Sequence, residues 1–230
     1  MKTVGIIGGL GPETTSNFYL KLIFSCQKFN KLNRPPILIY SIPLPYDIER
    51  KAIINGKGEE KCLPFLIDGA KRLEKAGADF LVMPCNSLHI FVNKIRNSVK
   101  IPVLSIIEET TEFLKKKRVS KVGIISTYMT LNRKLYKNSF AVNRIIQITP
   151  ESSQQAKIGK ITHNLVCNRY NNKDREKLIK IINDFKNKGV NSIILACTDL
   201  QLLKLKCPGL KIYDTMEILA DATTREILKN

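Results

Sequence analysis

The sequence is poor in the residues that hydrolases and metal centres most often use. It has two histidines in 230 residues, His89 and His163, so neither a structural zinc site nor a histidine-driven hydrolase is expected. Its six cysteines (Cys26, Cys62, Cys85, Cys167, Cys197 and Cys207) are irregularly spaced and contain no CxxC pair, which excludes the metal and redox motifs built on that spacing. No apolar run approaches the roughly 20 residues of a membrane span. The opening, MKTVGIIGGLGPETT, has only a short apolar run before its glycines and reads as the start of a strand, not as a secretory leader. A cytoplasmic location is therefore expected, with reduced thiols. Acidic residues are also scarce: 20 Asp and Glu stand against 38 Lys and Arg, a formal charge of +18. Such an excess suggests nucleic acid. Yet the lysines are spread over many predicted helices (KRLEK, FLKKKR, KLIKIINDFKNK), and no helix-turn-helix, RNP-like or zinc-finger pattern aims them. They are read as solvated helix faces whose field favours an anionic substrate, and no specific nucleic-acid partner is expected.

What is present is the composition of a soluble globular chain, 43% hydrophobic and 25% charged. Short apolar strands alternate with helical stretches, the pattern of parallel sheets with helices on both faces. TVGII, ILIY, DFLVM and IPVL supply the strands of a first half; VGII, RIIQI, SIIL and LKIY supply a second. Between them run amphipathic segments such as KCLPFLIDGAKRLEKAG, with Leu63, Leu66, Ile67, Ala70 and Leu73 at helical spacing and Gly77 just beyond. The halves form an internal repeat. TVGIIGG answers KVGIIST, KAGADFLVMPCNSL answers NKGVNSIILACTDL, and PVLSIIEE answers KIYDTMEI. In both copies a cysteine, Cys85 or Cys197, follows the helix-ending glycine by eight residues. The expected division assigns residues 1–104 with 209–230 to a first α/β domain and 105–208 to a second.

Ligands of open α/β sheets bind beyond the carboxyl ends of the strands, and Cys85 and Cys197 both stand at such ends. Two similar halves facing each other around a pseudo-two-fold axis would bring the thiols to one cleft from opposite sides. A helix N-terminus lowers a thiol's pKa. The segments after each cysteine read as helix openings, with Asn86, Ser87, Thr198 or Asp199 able to cap. One thiolate could then remove a proton from a carbon while the opposite thiol delivers one to its other face. The glycine loop GGLGPETT lacks the third glycine of GxGxxG, with Thr14 in its place, so a nicotinamide cofactor is not expected. Pro12 suits a first helical turn, and the loop is read as offering free N–H groups to a carboxylate.

Taken together, GIIGGLGPETT, MPCNSLH and ACTDL resemble the motifs of the aspartate/glutamate racemase family, over essentially the whole chain. The resemblance implies two flavodoxin-like α/β domains with the active site in the cleft between them, and a homodimer. It also implies racemisation of an amino acid, aspartate or glutamate foremost, with neither cofactor nor metal. By position, Cys85 and Cys197 would be proton donor and acceptor. Asn86, Ser87 and the N–H of Leu88 would hold the α-carboxylate, with Thr127, Thr130 and Thr198 lining the same pocket. The segment YDIERKAIINGKGEE would supply Arg50 for a side-chain carboxylate, with Glu49 beside it, and Asp199 after the second cysteine, as further aids to proton transfer. The chain departs from the family pattern at Ser87-Leu88, at Ala196 and Asp199, and at Cys167. There aspartate racemases carry a lysine, and Arg169 two residues on is the candidate substitute. Relatives of this fold include maleate isomerases and arylmalonate decarboxylases, which use cysteine as nucleophile or sole proton donor. Retention of both cysteines argues against that chemistry here. A basic protein using the same scaffold on nucleic acid is the remaining non-enzymatic reading.

Overall fold

A computed structural model describes residues 1–48, 51 and 56–229. Strand β1 (Val4–Gly8) is buried along its whole length, as expected of a central strand covered on both faces. It pairs in parallel with β2 (Ile37–Ser41) and β3 (Phe80–Val82), giving the order β2-β1-β3. An isolated parallel bridge from Leu81 to Val103 adds the IPVL position at the edge. Helix α1 (Pro12–Phe29) crosses from β1 to β2 and opens with Pro12 after Gly11. Helix α2 (Leu63–Lys75) leads into β3 and buries Leu66, Ala70 and Leu73 of the predicted apolar stripe, with Leu63 and Ile67 half-buried. Helix α3 (Val92–Arg96) is short; α4 (Ile106–Lys116) starts at Ser105, whose hydroxyl caps it through Glu108 N–H.

The second half repeats this plan. Strand β4 (Lys121–Ser126) lies at the centre of the order β5-β4-β6-β7, with β5 (Ile146–Ile148), β6 (Ser192–Ala196) and β7 (Lys211–Asp214), all parallel. Short helices α5 (Tyr128–Asn132) and α6 (Lys137–Val142) join β4 to β5. Helices α7 (Ser152–Val166) and α8 (Asn172–Asp184) precede β6, and α9 (Thr215–Ile227) ends the described chain.

The pairing register tests the repeat. Gly5 pairs with Leu81 and Ile6 with Val82; in the second half Gly123 pairs with Ile193 and Ile124 with Ile194. Leu81 bridges Val103, and Ile193 pairs with Ile212. These are the partners that alignment of the two copies requires, so a slip of one residue, which would turn each side chain to the opposite face, has occurred in neither half.

The fold is thus α/β with two similar parallel-sheet units. One part of the expected division does not follow the sheets: residues 211–214 hydrogen-bond to β6, so β7 belongs with the second half. The physical reason is the repeat itself, since KIYD is that half's counterpart of PVLS at the edge of the first sheet. The helix that follows, α9, packs on α1 and α4. A single apolar cluster runs from Val4, Ile6 and Phe80 of the first sheet to Val122, Ile124 and Ile194 of the second, with Met216 and Leu219 of α9 joined to it. Burial of this shared cluster, at about 25 cal/mol per Å² of apolar surface, holds the carboxyl ends of both sheets toward each other.

Candidate active site

Four strand ends converge on one small cavity: Leu10 and Gly11 after β1, Cys85 to Ser87 after β3, Thr127 after β4, and Cys197 to Asp199 after β6, with Val166 from the end of α7. The cavity volume is about 10 Å³, the threshold for a single water. Each cysteine keeps 6% of its surface exposed, so the two thiols are equally sheltered.

The cysteines do not sit at helix openings of the kind the sequence suggested. The segments behind them open as 3-10 turns without a side-chain cap: Ser87–Phe91 runs directly into α3, whereas Thr198–Leu203 stands alone. The isolated stretch after Cys197 carries few aligned peptides for a dipole. The expected fall in thiol pKa is reversed at Cys197. Burial pushes its thiol well above the ordinary value, and the negative charge of Asp199 pushes in the same direction. The Cys197 Sγ–H faces Asp199 Oδ2 at 3.7 Å. The other carboxylate oxygen, Oδ1, accepts from the Thr14 hydroxyl at 2.6 Å. Burial raises the Asp199 carboxyl, while the Thr14 and Cys197 hydrogen bonds lower it.

This contact explains the glycine loop. Gly11 has φ +94, and a Cβ there would lie 2.8 Å from Asp199 Oδ1, so the loop is bare to admit a carboxylate of the protein itself. The Gly9 N–H, expected to be free for a ligand, donates instead to Thr15 Oγ1 at 3.0 Å.

The expected carboxylate-binding groups form a network across the two halves. Ser87 Oγ lies 2.8 Å from Thr127 Oγ1 and 3.2 Å from Thr130 Oγ1, and Thr127 caps α5 through Thr130 N–H. Asn86 lines the cavity with both ends of its amide engaged. Its Oδ1 accepts from the Tyr136 hydroxyl, and its Nδ2 donates to Thr215 Oγ1 at 3.0 Å. Thr215 in turn donates to the Leu195 carbonyl at 2.8 Å. Thr130 stands behind Thr127, and the Leu88 side chain is wholly buried in the first-half core. Thr198 reaches the cavity wall. Arg50 and Glu49 lie outside the described residues.

Residues 7–223 match the family described as Asp/Glu/Hydantoin racemase. The chain belongs to that family. It is 30% identical over 232 residues to the broad specificity amino-acid racemase RacX of Bacillus subtilis (strain 168), with 98% of each chain covered. Among solved structures it resembles an aspartate racemase homologue from Pyrococcus horikoshii OT3, with a TM-score of 0.81 and 29% identity over 100% of both chains. It also resembles Picrophilus torridus aspartate racemase, with a TM-score of 0.84 and 27% identity, covering 100% of this chain and 96% of that one. The protein is therefore an isomerase of the amino-acid racemase class. No helix among its described residues is long and apolar enough to cross a membrane.

Three further features of the racemase have no role assigned by the sequence, although His89 closes the motif MPCNSLH. His89 is buried and bridges two elements: its Nδ1–H donates to the Cys85 carbonyl at 2.6 Å, and its Nε2 accepts from Ile106 N–H at 3.0 Å. An N–H partner at Nε2 leaves Nδ1 as the protonated nitrogen, and burial holds the imidazole pKa down to about 4. The ring is a neutral clamp on the Cys85 backbone. Tyr136 is the second feature, reaching Asn86 from the opposite half. The third is a larger cavity of about 800 Å³ beside the small one, which shares Val166 with it. Its walls include Ser41, Ile42, Leu44 and Tyr46 from the first half and His163, Cys167 and Arg169 from the second. Cys167, at the position of the family's lysine, and Arg169, the candidate substitute two residues on, thus both line a cavity that adjoins the one holding the thiols.

Proposed function

We propose that the racemase interconverts the enantiomers of an amino acid without a cofactor, using Cys85 and Cys197 as its two acid–base groups, with aspartate or glutamate among its substrates. The observation that carries the reading is that cysteines from equivalent positions of a register-matched repeat line one cavity.

The chemistry balances as follows. Cys197 loses its Sγ proton to Asp199 Oδ2 and keeps the electron pair. The resulting thiolate takes the α-proton, and the C–H electron pair delocalises into the substrate carboxylate. Cys85 Sγ–H then gives its proton to the opposite face of the α-carbon. The opposite enantiomer, a Cys197 thiol and a Cys85 thiolate result, and the proton on Asp199 restores Cys85 by exchange when the cleft opens. The α-hydrogen is a very weak acid, so charge developing on the carboxylate needs fixed donors and a dry site. Ser87, Thr127, Thr130, Thr198, Asn86 and the Leu88 N–H are assigned to that carboxylate; in the closed site several of these hydroxyls satisfy one another and can turn to a ligand. Arg50 remains assigned to the side-chain carboxylate of an acidic substrate, and Glu49 beside it to proton transfer. The reading includes a homodimer, which sedimentation would test.

One observation favours a wider substrate range. The larger cavity combines apolar walls with Arg169 as its single permanent cation among the described residues, and RacX, the relative described above, is named for broad specificity. Longer and uncharged side chains fit such a chamber. Screening free amino acids for α-hydrogen exchange in heavy water tests both readings. Exchange confined to aspartate and glutamate would set the wider range aside. The mechanism itself requires that Cys85→Ala and Cys197→Ala each abolish racemisation. Normal turnover by both would end it.

A further inference from the structure

The hydrogen bond between Thr14 and Asp199 spans 185 positions of sequence and joins the two halves at the reacting sulfur. Thr14 stands in the first turn of α1, in the first half, and is wholly buried; Asp199 lies in the second, 8% exposed. A buried hydroxyl can either donate to a carboxylate or accept from a carboxylic acid. Here Asp199 Oδ2 already faces the Cys197 Sγ–H as an acceptor. With a proton arriving at Oδ2, donation by Thr14 to Oδ1 keeps both carboxylate oxygens in the accepting role.

We propose, building on the two-thiol reading, that Thr14 is a positioning residue: its hydroxyl fixes the Asp199 carboxylate as the proton acceptor for Cys197. Because the donor comes from the opposite half, the acceptor is assembled only when the cleft is closed. Gly11 makes the arrangement possible, since any side chain there would occupy the place of Asp199 Oδ1. The charged and titratable groups around Asp199 are few. Glu13 acts on it from α1, and Cys197 lies beside it with Cys85 beyond. From α7 the cavity receives only the apolar Val166. Glu13 and the burial of the site both oppose ionisation of Asp199, so the Thr14 donor is the main contact acting in the other direction.

The test uses Thr14→Val, which keeps the shape and removes the donor, with Thr14→Ser to restore it. Thr14→Ala carries the same prediction if the valine variant does not fold. For Thr14→Val, kcat should fall roughly 10- to 100-fold, the range for losing a hydrogen bond to a charged group. KM should change little, and the rising limb of the pH profile should move to higher pH. Thr14→Ser should recover most of the rate. In an Asp199→Asn background the valine substitution should have no further effect.

A second readout does not depend on turnover: the pH midpoint of iodoacetamide alkylation at the Cys197 peptide. At the alkaline pH where the buried Cys197 thiol titrates, the Asp199 carboxylate is ionised with or without Thr14, and losing the Thr14 donor leaves its charge acting more strongly on the Cys197 thiolate. That midpoint should therefore move to higher pH in Thr14→Val while the Cys85 midpoint stays in place. Unchanged kcat, pH profile and midpoint would overturn the proposal. So would a rate loss that persists in full in the Asp199→Asn background, which would make Thr14 merely structural. Failure of the two-thiol reading shows separately, as activity retained in Cys197→Ala.

Discussion

Replacing Tyr136 by Phe removes one hydroxyl and nothing else from a wholly buried ring. That hydroxyl is the donor to Asn86 Oδ1, and Asn86 is itself 2% exposed, so no bulk water can take its place. A buried acceptor left without a donor costs about 1–3 kcal/mol, and ring packing against Phe140 is unchanged, so no cavity adds to it. At roughly 2–4 °C per kcal/mol for a chain of this size, a central loss of about 2 kcal/mol corresponds to a melting temperature lower by roughly 4–8 °C. The same bond orients the residue next to Cys85, across the boundary between halves. Asn86 is also tied through Thr215 to the Leu195 carbonyl in β6, so the amide should rotate rather than detach, and racemisation should slow about tenfold or more. Urea denaturation with the heavy-water exchange assay reads both effects. A double-mutant cycle with Asn86→Ala should give a coupling on the order of 1–2 kcal/mol. A stability change under about 0.5 kcal/mol, the size seen at ordinary surface positions, would refute the reasoning.

Gly11→Ala should destabilise the protein and sharply reduce turnover, because the new Cβ meets both a left-handed φ and the Asp199 carboxylate; wild-type melting temperature and activity would contradict it. His89 predicts a pH effect. Its folded pKa of about 4 lies below the ordinary value of about 6.5, so between these values the unfolded chain binds more protons. The stabilisation from a neutral His89 is present above about pH 6.5 and is lost as pH falls toward 4, on the order of 3 kcal/mol. Asp214, whose carboxyl burial raises to about 7, titrates with the opposite sign in part of that window. The informative quantity is therefore the difference between wild type and His89→Asn, measured by urea denaturation from pH 4 to 8. A difference that does not vary with pH would show that His89 is not the neutral clamp.

Much of this molecule is readable from its repeat. The strand positions, the α2 stripe of Leu66, Ala70 and Leu73, and the placing of Cys85 and Cys197 at strand ends all follow from apolar periodicity and from two copies sharing one cysteine register. Edge assignment is less accessible: LKIY reads as a strand, but only hydrogen bonding shows that it extends the second sheet. The thiol environment differs from the expected one for a physical reason. A cysteine followed by polar residues looks like a helix start, yet the turns that form are short 3-10 stretches, and burial with a neighbouring carboxylate then dominates. Tyr136 escapes sequence reading because its partner is set by folding, 50 positions away; Thr14 and His89 lie within GIIGGLGPETT and MPCNSLH, but what Thr14 holds is likewise set by folding, in a residue 185 positions away. A buried tyrosine in a helical turn gives the same local signal whether it packs or positions.

The assignment of opposite-face proton transfer is tested most directly by running the racemase on a single enantiomer in heavy water and stopping at low conversion. Two monoprotic thiols that exchange with solvent predict an α-deuterium in the product enantiomer, while the recovered starting enantiomer keeps its proton. Deuterium appearing equally in both enantiomers, or a product that retains the original proton, would contradict the account.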